Sequence, residues 1–219
     1  MSDNKCKLYL ISPPKFELDE FAHDLKDAFK GGEVAAFQLR MKNKDMTTGQ
    51  LIAPPDEDDV RRAIEVLKPI CKENDCVFIL NDNPRLAAET GCDGVHLGED
   101  DMSVKEARGI VGNNMVIGAS CYASKDLAFM AAEQGADYVA FGAFYETQTK
   151  TPKGRPTPEI IEFWSNFTNL PCVAIGGIKT NNALPLVKAG ADFIAVVTGV
   201  WGHEKGIQQA VKEFNELFV

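Results

Sequence analysis

CVAIGGIKTNNALPLVKAGADFIAVVTGV, residues 172–200, contains an apolar run, a glycine pair at 176–177, a segment of helical character from about Thr180, Gly190, and a second apolar run at 193–198. Both runs are almost continuously apolar instead of alternating, which suits parallel strands covered on both faces. Glycine where the first run stops and glycine where the helical segment stops mark off a strand, a helix and the next strand.

The same alternation extends through the whole chain. Strand-like runs recur at KLYLI 7–11, AAFQL 35–39, CVFIL 76–80, GVHLG 94–98, MVIGAS 115–120, YVAFGAF 138–144, CVAIGG 172–177 and FIAVVT 193–198. Between them lie stretches of helical spacing, such as Phe21, Leu25, Ala28 and Phe29, then Val60, Ile64, Leu67 and Ile70, then Ile160, Ile161, Trp164 and Phe167. Ile207, Ala210, Val211, Phe214 and Leu217 mark a last helix, and Gly31, Gly32, Gly91, Gly112 and Gly135 fall where helices should end. Eight β-then-α units in 219 residues predict an α/β protein, one (β/α)8 TIM barrel forming a single domain over residues 1–219. A doubly wound open sheet, the alternative, normally uses fewer units. Trp164 and the phenylalanines of the helices read as core.

Charged residues at 25% and hydrophobic residues at 45% are ordinary for a globular chain and argue against long disorder. A formal charge of -9 disfavours nucleic acid and anionic membranes as main partners. A small anion can still bind where a few cations and helix N-termini focus positive potential in a cleft. The lead MSDNKCKLYLI runs into an apolar stretch too short for a signal-peptide core or a membrane span, so a cytoplasmic location is expected. The six cysteines (6, 71, 76, 92, 121, 172) show no CxxC pair and are read as reduced, with Cys121 the one to examine for reactivity. Histidines at 23, 96 and 203 are too scattered for a zinc site, and His96, between Val95 and Leu97, is expected to be a satisfied core or inner-barrel residue.

Polar and charged residues gather where the apolar runs stop, the end of a parallel strand at which barrels collect ligands. Asp82 ends the third run and Asp101 follows the fourth, so neighbouring strands would bring two carboxylates to one rim. Such a pair suits Mg²⁺, which binds through one or two carboxylates plus substrate phosphate oxygens. Asp100 can replace Asp101 in that role, and Asp82 can instead cap the helix beginning near Pro84. Arg40 and Lys42, one residue apart after the second run, share a side, and Lys150 lies after the sixth. Three cations on a rim with two carboxylates suit diphosphate, although for Lys42, beside Asn43 and Lys44, simple solvation is the competing reading. Gly176–Gly177 and Thr198–Gly199 end the seventh and eighth runs, where barrels often bind phosphate. Gln38 and Ser120 are uncharged hydrogen-bonding residues suited to a heteroaromatic ring. No histidine has an evident serine or cysteine partner for nucleophilic catalysis. Two connections, 41–58 and 146–158, are long enough to be lids or tolerated insertions.

In order, QLRMK, LNDN, GVHLGEDDM, IGAS, GADYVAFGAF, TQTK, VAIGGI and AVVTGV resemble the thiamine phosphate synthase family from the first strand to the last. The resemblance implies a (β/α)8 transferase, usually homodimeric, that joins a hydroxymethylpyrimidine diphosphate to a thiazole phosphate and releases diphosphate. It implies Mg²⁺ on Asp82 and Asp101, with Arg40, Lys42 and Lys150 neutralising the diphosphate. Gln38, Asn81 and Ser120 would contact the pyrimidine or its leaving group, and Thr147, Thr149, Gly177, Val197 and Thr198 would surround the thiazole phosphate. Many relatives have glutamine, proline and histidine where this chain has Glu99, Ala143 and Tyr122, and arginine where it has Asn83. A thiazole tautomerase of the same superfamily would need neither metal nor diphosphate groups. A thiazole phosphate sensor would bind without turnover, and a sugar-phosphate isomerase would leave the two carboxylates without a purpose.

Overall fold

The structure, a computed structural model, describes residues 6–44, 51–147 and 154–218. Eight parallel strands close a barrel: β1 (Lys7–Ile11), β2 (Ala36–Leu39), β5 (Val77–Asn81), β6 (Gly94–Leu97), β7 (Val116–Tyr122), β8 (Tyr138–Phe141), β9 (Cys172–Ile175) and β10 (Phe193–Val196). Round the barrel the order follows the chain, with β1 between β2 and β10. A small antiparallel pair, β3 (Asn43–Lys44) and β4 (Leu51–Ala53), stands apart after β2, in the first of the two long connections. The expected barrel is present, with strand ends shifted by at most three residues.

Helices α1 (Leu18–Gly31), α2 (Glu57–Lys72), α3 (Pro84–Thr90), α4 (Val104–Val111), α5 (Lys125–Glu133), α6 (Pro158–Phe167), α7 (Leu184–Lys188), α8 (Thr198–Trp201) and α9 (Ile207–Leu217) follow the barrel strands. Apolar residues three and four apart face inward, as in Phe21, Leu25 and Ala28 of α1 or Val60, Ile64 and Leu67 of α2. Helix starts are set by short polar side chains: Asp56 accepts the N–H of Asp58, and Ser103 with Glu106 forms a capping box. Asn83 caps α3 by accepting the N–H of Leu86 at 3.0 Å, so Asp82 is left for other work. The segment from Thr180 begins with turns, and its helix α7 is only Leu184–Lys188.

Two apolar layers hold the molecule. The larger lies between barrel and helices and includes Leu10, Phe37, Phe78, Phe141, Trp164 and Phe214, each at most 1% exposed. Burying a side chain of that size contributes about 1.5–3 kcal/mol. The smaller fills the barrel with Tyr9, Ile11, Ala36, Ile79, Tyr138, Ala140, Val173 and Ala195. Phe167 is 74% exposed and Phe129 40%, so the helix phenylalanines are not uniformly core; both lie on the outer sides of α5 and α6.

The floor, at the N-terminal ends of the strands, carries one device three times. In G-x-D at 91–93, 135–137 and 190–192 the glycine ends a helix with φ of 62°, 95° and 96°. The aspartate then clamps the neighbouring strand with its side chain and its backbone. Asp93 accepts from Phe78 N–H at 2.8 Å, Asp137 from Ile117 N–H at 2.7 Å and Asp192 from Cys172 N–H at 2.8 Å. Each aspartate N–H donates back to the carbonyl of the same residue. The strands thereby start in register, which places their other ends at a common level.

Candidate active site

At the C-terminal end of the barrel the charged residues after β2, β5 and β6 meet. Ser12, 1% exposed after β1, accepts the Arg40 N–H at 2.9 Å, and the Pro14 carbonyl accepts the Lys42 N–H at 3.0 Å. These bonds fix the chain leaving β2. Lys42 forms an ion pair with the Asp82 carboxylate. Asp82 has φ of 65°, the left-handed region that costs a non-glycine residue of order 1 kcal/mol, and its N–H is held by the His96 carbonyl at 2.8 Å. Asp101 accepts the Gly98 N–H at 2.7 Å, and a side chain at 98 would crowd its Oδ2 at 2.9 Å. Desolvation, and next the adjacent Asp82 carboxylate, raise the Asp101 carboxyl above its ordinary value. Burial lowers the Arg40 guanidinium, and Asp82 opposes that shift. Asp100 is exposed and Asp101 is the residue that reaches Asp82.

Inside the mouth a line of polar groups crosses six strands. Gln38 Nε2 donates to Asn81 Oδ1 at 2.7 Å, and Tyr9 Oη donates to Gln38 Oε1 at 3.2 Å. Tyr9 and Tyr138 share a hydrogen bond of 2.9 Å, Tyr138 Oη meets His96 Nδ1 at 2.9 Å, and His96 Nε2 meets Ser120 Oγ at 2.9 Å. Gln38, Tyr9, Tyr138 and His96 are buried, while the end members Asn81 and Ser120 are partly open. Burial pushes both phenols above their ordinary value, so they stay protonated hydroxyls. Gly118 on β7 makes the room: a Cβ there would overlap the Tyr138 ring.

On the far side, the loops after β8, β9 and β10 interlock. Gly177, at φ of 66°, lies so close to Glu146 that a Cβ would overlap its carbonyl, and Gly199 bears in the same way on the carbonyl of Ile178. Tyr145 Oη donates to the Asn182 carbonyl at 2.7 Å, and Asn182 Nδ2 donates to the Gly177 carbonyl at 3.1 Å. Val197 precedes α8 and Thr198 begins it, so both stand beside the glycine turn. Thr147 is described at the start of the second long connection, whereas Thr149 and Lys150 lie outside the described residues.

The family model described as thiamine monophosphate synthase matches residues 8–200. This chain belongs to that family. The thiamine-phosphate synthase of Rhodospirillum centenum is 49% identical over 212 residues, covering 97% of each chain. That of Hyphomonas neptunium is 44% identical over 215 residues, covering 98% of this chain and 94% of its own. The solved thiamine phosphate pyrophosphorylase of Pyrococcus furiosus superposes with a TM-score of 0.80 at 30% identity, covering 98% of this chain and 96% of its own. As a member of the thiamine monophosphate synthase family, the chain presents Arg40, Lys42, Asp82 and Asp101 on one rim, with Gln38, Asn81 and Ser120 just inside it.

Tyr9, Ser12 and Tyr138 were not legible as site residues, since each sits in or beside an apolar run. The available signal was Gly118, a glycine inside a strand, which marks close approach by a neighbour. His96 is the inner-barrel residue expected, bonded through both ring nitrogens. Cys121 is 1% exposed and burial pushes its thiol up to about 12, so it is no nucleophile. All six cysteines are free and buried.

Proposed function

We infer that the protein joins a hydroxymethylpyrimidine diphosphate to a thiazole phosphate, giving thiamine phosphate and diphosphate. The observation that carries the mechanism is the meeting of Arg40, Lys42, Asp82 and Asp101 at one rim. The bond between the pyrimidine methylene and the diphosphate oxygen breaks, with its electron pair leaving on the diphosphate. The methylene carbon is stabilised by the ring amino group, and the thiazole nitrogen then supplies its lone pair to that carbon. Negative charge grows on the leaving group, so Arg40 and Lys42 stabilise the transition state more than the ground state. Lys150, by the resemblance, adds a third positive charge. The thiazole nitrogen carries its own lone pair and needs no general base; the sequence shows no serine partner for a histidine, but the structure places Ser120 Oγ 2.9 Å from His96 Nε2.

Asp82 and Asp101 suit Mg²⁺. They are adjacent like charges, and among the described residues no three His, Cys, Asp or Glu side chains form a metal group, so a cation here would rely on substrate oxygens as well. When bound there the ion would supply Lewis-acid stabilisation to the departing diphosphate. Gln38, Asn81 and Ser120 orient the pyrimidine, while Gly177, Val197 and Thr198, with Thr147 and Thr149, take the thiazole phosphate. The interlocked glycine turns after β9 and β10, where barrels often bind phosphate, support that second assignment.

The resemblance further supports a homodimer acting on small molecules in the cytoplasm; light scattering should give twice the mass of one chain. Among the described residues no helix is long and apolar enough to cross a membrane. The test of function is incubation of the purified protein with both half-substrates and Mg²⁺. Thiamine phosphate and diphosphate should appear together and stop when the ion is chelated. Binding of thiazole phosphate without any diphosphate release would replace the enzyme with a sensor.

A further inference from the structure

The hydrogen-bond line in the barrel mouth has a direction. Each tyrosine hydroxyl carries one proton. Tyr9 gives its proton to Gln38 Oε1, so across the 2.9 Å contact its oxygen must accept from Tyr138. With the Tyr138 proton so used, its oxygen accepts from His96 Nδ1–H. A neutral His96 protonated on Nδ1 has a lone pair on Nε2, which accepts the Ser120 hydroxyl proton. At the other end Gln38 Nε2 occupies Asn81 Oδ1, leaving the Asn81 Nδ2 protons to donate. The four middle members are buried, and only the two ends open toward the mouth.

We propose that Tyr9, Tyr138 and His96 are positioning residues that fix Ser120 as an acceptor and Asn81 as a donor, and so select an amino-bearing pyrimidine ring. This rests on the pyrimidine reading given above. An exocyclic amino group offers N–H to the Ser120 oxygen, and a ring nitrogen offers its lone pair to Asn81. As the methylene–oxygen bond breaks, the amino nitrogen gives up electron density and its N–H becomes more acidic. The bond to a serine lone pair therefore strengthens in the transition state. An oxo group in the amino position would face that lone pair with its own, setting two acceptors against each other with no hydrogen between them. No proton leaves the thread; its orientation alone is the device.

Two measurements test it. The first is nitrogen NMR of the ligand-free full chain labelled at histidine, with His96→Gln used to assign the signal. A neutral His96 carrying its proton on Nδ1 is expected; a proton on Nε2, or on both nitrogens, would overturn the polarity. The second compares turnover of the aminopyrimidine diphosphate with its oxo analogue. The protein should prefer the amino form by on the order of a thousandfold, since sites built around a hydrogen bond reject analogues that cannot make it. Tyr138→Phe should shrink that preference at least ~tenfold while KM for thiazole phosphate stays within about twofold. Equal losses on both pyrimidines would show that Tyr138 only supports the fold and would overturn the proposal. Should Tyr138→Phe not fold, Tyr9→Phe carries the same comparison. The NMR result does not depend on turnover, so a protein without diphosphate release would sink the functional reading and the selectivity with it, yet leave the thread's direction decided.

Discussion

At the floor of the barrel Asp93, Asp137 and Asp192 each accept a strand N–H and return their own N–H to the same residue, whereas at the roof Asp82 and Asp101 stand beside each other, with Lys42 on Asp82. Both groups are aspartates next to barrel strands. Their different surroundings assign the work. A carboxylate that accepts the N–H of a neighbouring strand and returns its own N–H to that strand stabilises the fold. Two carboxylates held side by side carry mutual repulsion, which a ligand of opposite charge relieves. The floor carboxylates stand apart, each on its own pair of strands, whereas the roof carboxylates stand together, with Lys42 on Asp82 and the Gly98 N–H on Asp101.

Substitution should separate the two ends. The largest effect is expected at the roof: Asp82→Asn or Asp101→Asn should lower turnover by well over tenfold, because a Lewis-acid contribution is worth several kcal/mol. Circular dichroism should show that the thermal transition persists. Full activity in both variants would remove the metal assignment. At the floor the sign reverses. Asp137→Ala removes the side-chain acceptor of the Ile117 N–H and the ion pair of Arg108, and should cost about 1–2 kcal/mol in urea unfolding with unchanged turnover per folded molecule.

Between the ends, Gly118→Ala forces a methyl group into the Tyr138 ring. A cost of about 1–3 kcal/mol is expected, together with a raised KM for the pyrimidine alone. Stability loss with both KM values unchanged would separate the polar thread from substrate binding. The smallest effect is expected away from both ends: Ser103→Ala removes the cap of α4 and should cost ~1 kcal/mol without any change in kinetics.

The barrel was legible because its strands are buried on both faces and so form unbroken apolar runs, separated by helices that end in glycine. Arg40, Lys42, Asp82 and Asp101 were legible as rim charges for the same reason, since a carboxylate or a cation stands out where such a run stops, while Lys150 lies outside the described residues. The thread was not. Tyr9 and Tyr138 occupy the apolar runs as ordinary large side chains, and only the closed barrel turns their hydroxyls toward each other. The floor clamps were half legible: glycines 91, 135 and 190 marked helix ends, but the aspartate two residues later acts through a neighbouring strand that sequence spacing does not identify. Phe167 kept the helical period of α6 yet lies outside the core, because periodicity gives a face and not its partner.

Single-turnover cleavage of the pyrimidine diphosphate, in the presence of saturating thiazole phosphate and Mg²⁺, addresses the roof most directly. In Asp101→Asn the rate of diphosphate release should fall by well over tenfold while the dissociation constant for thiazole phosphate stays within about twofold. An unchanged release rate, or a loss carried entirely by thiazole phosphate affinity, would contradict the assignment of this rim to the leaving group.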